Sequence, residues 1–122
     1  MFVGTDIVEV DRIKTAILHG KMDFLKRVFT EQELLKINMD DPDYERASGF
    51  WAAKESIVKA VGLGFRNGIL FHDAQIEHDE YGCPYFLLQG KLKEIITEKK
   101  ITKISLSISH CRTHAVAVTV IF

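Results

Sequence analysis

The chain opens on an extended segment in which Phe2, Gly4, Asp6, Val8 and Val10 share one side, so Phe2 to Val10 predicts a strand. The apolar period then lengthens, and helices are expected over about 11–18 and 23–28. Thr30, followed by Glu31, Gln32 and Glu33, is a capping box with Thr30 as N-cap and Glu33 at N3; it predicts a helix to about Asn38. The cluster Asp40-Asp41-Pro42-Asp43 breaks that pattern, and Pro42 fits the first turn of a long central helix ending near Gly62. Within it Phe50, Ala53, Ile57 and Val61 recur at helical spacing and predict a stripe facing the core.

After the glycines at 62, 64 and 68 the pattern turns to strands. They are expected over Ile69 to His78 and Tyr85 to Gln89, on either side of a turn at Tyr81-Gly82-Cys83-Pro84. Gly90 to Lys99 reads as a short helix on Leu92, Ile95 and Ile96. Two final strands follow, Thr102 to Ser109, where Ile104, Leu106 and Ile108 alternate with serines, and Ala115 to Phe122. This order predicts an α+β fold: a single domain over residues 1–122, with an antiparallel sheet packed against a long central helix and shorter N-terminal helices.

Composition narrows the function classes. A chain of 122 residues with 47% hydrophobic content holds one ordinary core, small enough that oligomerisation would add usefully to stability. A formal net charge of -1 argues against a general nucleic-acid binder. Local charge is more informative. Arg12, Lys14, Lys21, Lys26 and Arg27 outnumber Asp11 and Asp23, whereas the sign reverses between Glu31 and Glu45. These are either solvated helix faces or, for the basic segment, a docking surface for an acidic partner. Cys83 and Cys111 have no zinc or disulfide-framework spacing. No apolar run suits a signal segment or a membrane span, so a cytosolic protein is expected.

The candidate chemistry centres on ASGFWAAKESIVKAVGLG, residues 47–64. Glu55 and Lys59, four apart, lie on a neighbouring face to the apolar stripe, an anion and a cation together. They form either an ordinary helical ion pair or part of a site for a metal ion and a phosphate. Asp6 sits among apolar neighbours on the first strand, where a carboxylate must be paired, hydrogen-bonded or bound to a metal. Backbone amides or Arg12 are one set of partners and a metal shared with Glu55 is another. Two carboxylates from separate elements suit magnesium, which keeps waters and takes further oxygens from a substrate phosphate. Lys54 and Lys59 flank Glu55, and Gly62, Gly64 and Arg66 follow. That loop is either a relaxed helix end or a phosphate-binding turn, and it does not match the P-loop pattern. His110 closes the SLSISH strand as a structural residue or a phosphate contact.

These blocks together resemble the holo-acyl-carrier-protein synthases, the small bacterial type of phosphopantetheinyl transferase. The resemblance runs nearly end to end, through GTDIVEVDRI, FLKRVFTEQE, WAAKESIVKAVGLG, FHDAQIEHDEYGCPYF and SLSISHCRTHAVAV. It implies transfer of the 4'-phosphopantetheine arm of coenzyme A to a serine of apo acyl carrier protein, releasing adenosine 3',5'-bisphosphate, in fatty acid biosynthesis. It implies that Asp6 and Glu55 hold magnesium, that Lys59 contacts phosphate and assists the leaving group, and that His110 lies near the nucleotide; the phosphate-binding reading of the helix end and loop adds Lys54, Gly62, Gly64 and Arg66 to the coenzyme site. Arg12, with Lys14, Lys26 and Arg27, would form the carrier-docking surface. The implied assembly is a homotrimer with active sites between subunits. The base for the serine stays open between a water or Asp6 on the metal and a carboxylate of the partner.

The chain also departs from that family's pattern. Phe50-Trp51 stand where Arg-Phe is usual, so a cation for the coenzyme phosphates is missing, and Arg46 and Arg66 are the candidates to replace it. His114 stands where Tyr is common and Leu63 where Thr is common. Two rival readings use the same residues: a metal-dependent phosphodiesterase, which would cleave coenzyme A without any carrier, and a non-catalytic binding module, which would tolerate Glu55→Gln.

Overall fold

A computed structural model describes residues 1–122. Strand β1 (Phe2–Glu9) runs into helix α1 (Val10–Val28), followed by α2 (Glu31–Ile37) and the central helix α3 (Tyr44–Val61). A 3-10 turn at Phe71–Asp73 leads to β2 (Ala74–His78) and β3 (Pro84–Leu88); then come α4 (Gly90–Glu98), β4 (Ile104–His110) and β5 (His114–Ile121). The strands form two antiparallel sheets rather than one: β1-β5-β4, and a β2-β3 ribbon. No helix is long and apolar enough to cross a membrane.

Local chemistry explains most boundaries. The capping box at the start of α2 forms as expected, with Glu33 N donating to Thr30 Oγ1 and Thr30 N donating to Glu33 Oε1. Within α1 the two helices expected before it are separated as expected, by a kink at Lys21, whose φ of 47° and ψ of -132° are non-helical. Pro42 lies outside α3, because Asp43 is the N-cap and its carboxylate accepts from Arg46 N at 3.0 Å. The strand expected from Ile69 begins only at Ala74. The buried Asp73 carboxylate accepts from Leu70 N and Leu92 N and curls the preceding residues into a turn.

The sheet β1-β5-β4 lies against α3. Gly4 makes the approach possible: a Cβ there would run into Ser56 O and Ala60 N of α3. Val8, Ala115 and Ala117 on the inner side of the sheet join Ile13, Ile17, Phe29, Ile37, Phe50 and Ala53 in one core cluster. A second joins Ile57, Val58, Ile69, Leu92, Ile96 and Ile121. Each large aliphatic side chain so buried contributes about 1.5–3 kcal/mol. The expected stripe of Phe50, Ala53, Ile57 and Val61 is buried, but so are Ala47, Ser48, Ala52, Lys54, Ser56 and Ala60, so α3 is enclosed nearly all round. The outer side of the sheet stays open. There Val3 faces Val120, Thr5 faces Val118 and Ile7 faces Val116, with Val3 61% and Ile7 67% exposed.

Candidate active site

Asp6 and Lys59 meet because β1 lies so close to α3. Lys59 Nζ is 2.8 Å from Asp6 Oδ1, with the lysine half exposed and the aspartate side chain only 13% exposed. The other oxygen, Asp6 Oδ2, is buried and has no hydrogen-bond partner. Neither backbone amides nor Arg12 hold this carboxylate, and Lys59 satisfies only half of it. A buried carboxylate oxygen left unpaired is costly unless a ligand completes it.

Glu55, one turn before Lys59 on α3, is half-buried and makes no ion pair with Lys59, which reaches across to β1 instead. Burial pushes the Glu55 carboxyl above its usual pKa, and the negative charge of Asp6 pushes it further, while Lys59 and Arg12 oppose. The two carboxylates therefore repel across a shared space, the electrostatic setting that a bound cation relieves. No group of three or more His, Cys, Asp or Glu side chains comes together anywhere in the chain. Two oxygen donors with room for waters and substrate oxygens suit a hard, strongly hydrated ion such as magnesium.

Lys54 requires a correction. It was expected at the coenzyme, but it is wholly buried, 3.0 Å from Glu33 Oε1, and donates to Phe71 O at 2.9 Å and Ala74 O at 2.8 Å. Its ammonium faces the turn before β2, on the side of α3 away from solvent. Gly62 and Gly64 also behave otherwise than as a phosphate cradle. Gly62, at a left-handed φ of 84°, is the C-cap, and the amides of Gly62, Leu63 and Gly64 all donate to Val58 O. Their donors close the helix. Arg66 is exposed on the loop that follows.

His110 lies apart from Asp6, Glu55 and Lys59. Its Nδ1 is 2.9 Å from Glu45 Oε1, and with Arg46, Phe50 and His78 it lines a cavity of about 150 Å3. Arg46 and Glu55 are nine residues apart on α3, about half a revolution in phase, so the two groups face opposite sides of the helix. His78 was not singled out from the sequence. Its ring stands 6.0 Å from that of Phe50, and Lys36 Nζ is 3.2 Å from its Nδ1. Only the pairing of β2 with β3 brings it there, which no local motif signals. Arg46 was legible, one turn before Phe50 on the same face.

The basic residues of α1 are exposed: Arg12 beside a small cavity shared with Glu9 and His114, Lys14 over the Tyr44 ring at 5.4 Å, and Lys26 and Arg27 at the helix end.

Residues 2–119 match the family model described as the 4'-phosphopantetheinyl transferase superfamily. The holo-[acyl-carrier-protein] synthase of Caldanaerobacter subterraneus subsp. tengcongensis is 45% identical over 120 residues, covering 98% of this chain and 93% of that one. The crystal structure of the Helicobacter pylori holo-[acyl-carrier-protein] synthase in complex with coenzyme A superposes with a TM-score of 0.87 at 32% identity, covering 98% of this chain and 99% of that one. The Neisseria meningitidis holo-[acyl-carrier-protein] synthase gives a TM-score of 0.90 at 32% identity, covering 99% and 97%.

Proposed function

The chain belongs to the 4'-phosphopantetheinyl transferase superfamily, and from that premise we propose that it transfers the 4'-phosphopantetheine group of coenzyme A to a serine of apo acyl carrier protein, in support of fatty acid biosynthesis. The products are holo acyl carrier protein and adenosine 3',5'-bisphosphate. The observation that carries the reading is the unpartnered, buried Oδ2 of Asp6 facing the crowded carboxyl of Glu55, with Lys59 beside them.

Asp6 and Glu55 would hold magnesium. The ion would supply neutralisation of charge on the diphosphate. Lys59, half exposed on a flexible stem, is able to leave Asp6 for a phosphate oxygen, where its charge stabilises the departing bisphosphate. Arg46, rather than Arg66, would supply the cation absent at position 50, since it shares a cavity with His110. The exposed Arg12, Lys14, Lys26 and Arg27 would receive the acidic carrier.

The half-turn between the Arg46 and Glu55 sides of α3 supports a homotrimeric reading in which one subunit's His110 cavity completes its neighbour's Asp6 centre. The open apolar face of the sheet supports the same assembly.

The test is to incubate the protein with coenzyme A, magnesium and an apo acyl carrier protein and to weigh the carrier by mass spectrometry. A phosphopantetheine adduct is expected, and Lys59→Ala should slow its formation by about 10²- to 10³-fold. Absence of adduct over a range of carriers and conditions overturns the reading, and coenzyme A cleavage without carrier would favour the phosphodiesterase instead.

A further inference from the structure

We propose that the acidic groove on α2 seats helix α1 of a second copy of the chain, a weak head-to-tail contact that covers part of the basic surface of α1. The contact rests on α1 and α2 alone. Only its consequence, competition with an acidic carrier for α1, rests on the transferase reading above.

The groove has a volume of about 490 Å3; Leu34, Leu35 and Met39 form the apolar part of its wall, and Glu31 and Asp40 supply its charge. No cation lines it. Lys36, the one basic residue of α2, is engaged elsewhere, 3.3 Å from Glu77 Oε2 and 3.2 Å from His78 Nδ1. Leu35 stands one turn after Glu31 and is 76% exposed, so a bare leucine lies beside a carboxylate. Neither Glu31 nor Asp40 makes an ion pair within the chain.

Helix α1 presents the opposite set. Leu18 is 52% exposed, with Lys14 one turn before it and Lys21 and the exposed Met22 just beyond, while Asp11 is the one acid on that flank. Neither lysine makes an ion pair within the chain. A leucine among cations thus matches a leucine beside anions: burying the apolar pair supplies attraction, and the charges fix which surface meets which. Leu18 and Leu35 are both exposed, so within one chain they do not cover each other. The contact is between copies. Each surface is about two helical turns long, roughly 11 Å, which places the contact at the small, transient end of protein interfaces. Because its two sides are different surfaces it does not close on itself, and copies add end to end. It leaves the outer side of the sheet free, so it would join the proposed trimers to one another. Exposed charges are screened by salt, and the contact is therefore strongest at low ionic strength.

The experiment is sedimentation equilibrium at about 0.05 M and about 0.5 M salt. At low salt the weight-average mass of the unaltered protein should climb past its high-salt plateau, about twofold for a hundredfold rise in concentration, with no second plateau. Two charge reversals locate the surfaces. Glu31→Lys with Asp40→Lys alters the groove, and Lys14→Glu with Lys21→Glu alters α1; all four positions are exposed. Each variant alone should stay at the plateau. An equal mixture of the two should climb again, because each then offers the other a matched surface. The proposal is overturned by a flat mass in the unaltered protein, by a climb that survives in either variant alone, or by a mixture that stays flat. It is overturned as well if the unaltered protein stays flat but binds a helical peptide of lysine and leucine that Leu35→Lys no longer holds, since the groove then seats a foreign basic segment. Sedimentation uses neither coenzyme nor carrier, so failure of the contact leaves the transferase reading standing, and failure of that reading leaves the contact.

Discussion

Lys54 is wholly buried 3.0 Å from Glu33, where burial pushes its pKa down and the Glu33 carboxylate opposes that shift. Glu33 is engaged as fully, accepting from Ile76 N at 2.7 Å and from Thr30 N at 2.9 Å, so the pair ties α2, α3 and β2 together at one point. Removing one partner leaves an uncompensated buried charge. Lys54→Met or Glu33→Gln alone should therefore lower the urea unfolding free energy by about 3–5 kcal/mol, and the double variant should lose much less than the sum. Additive losses would mean the two residues act separately. His78 carries a different signature. Burial, then Lys36 and Arg46, hold its pKa below the ordinary 6.5, against the pull of Glu77 and Asp79. The unfolded chain thus binds this proton more readily than the folded one. The resulting stability is present above about pH 6.5 and is lost as pH falls through the window between the unfolded value and the lower folded one. His78→Gln should flatten the thermal midpoint over that window relative to the unaltered protein; parallel pH profiles would refute it.

Among the elements, β1 and α3 are coupled through Gly4. Gly4→Ala would drive its methyl into the backbone of Ser56 and Ala60, so a loss of about 3 kcal/mol or more is expected by denaturant titration. Because Asp6 rides on the same strand, activity should fall further than stability explains when both are measured at a temperature where the variant is folded. This coupling marks the boundary of what was legible in the sequence. Periodicity and caps gave the helices and strands to within a few residues, since Thr30, Glu33 and Gly62 act on their immediate neighbours. Asp6 stood out because a carboxylate among apolar residues needs a partner, and Glu55 because it stands four residues before Lys59 beside the apolar stripe. Lys54 was misread because burial depends on what packs against α3. A lysine between two alanine-rich turns looks the same in the chain whether β2 or solvent faces it. His78 was missed for the same reason, whereas the break at Lys21 falls in the gap expected between the helices over about 11–18 and 23–28.

For the whole molecule, the outer side of the sheet is the feature with the widest reach. Val3, Ile7, Val116, Val118 and Val120 stand on one flank of β1 and β5, and Asp6 stands on the other flank of that same β1. On the proposed reading, a strand with the Asp6 centre on one side and an apolar face on the other would link catalysis to association. In the proposed trimer each centre needs a neighbour's His110 cavity, so an isolated chain holds the parts of a site without a complete one. Light scattering should report three times the chain mass at high protein concentration, and Ile7→Glu, at a position 67% exposed, should shift it toward one. Turnover per chain should then be a property of the solution as much as of the chain. On serial dilution it would hold steady, then drop where the subunits part, and added inactive Lys59→Ala chains would restore part of it by lending intact neighbours.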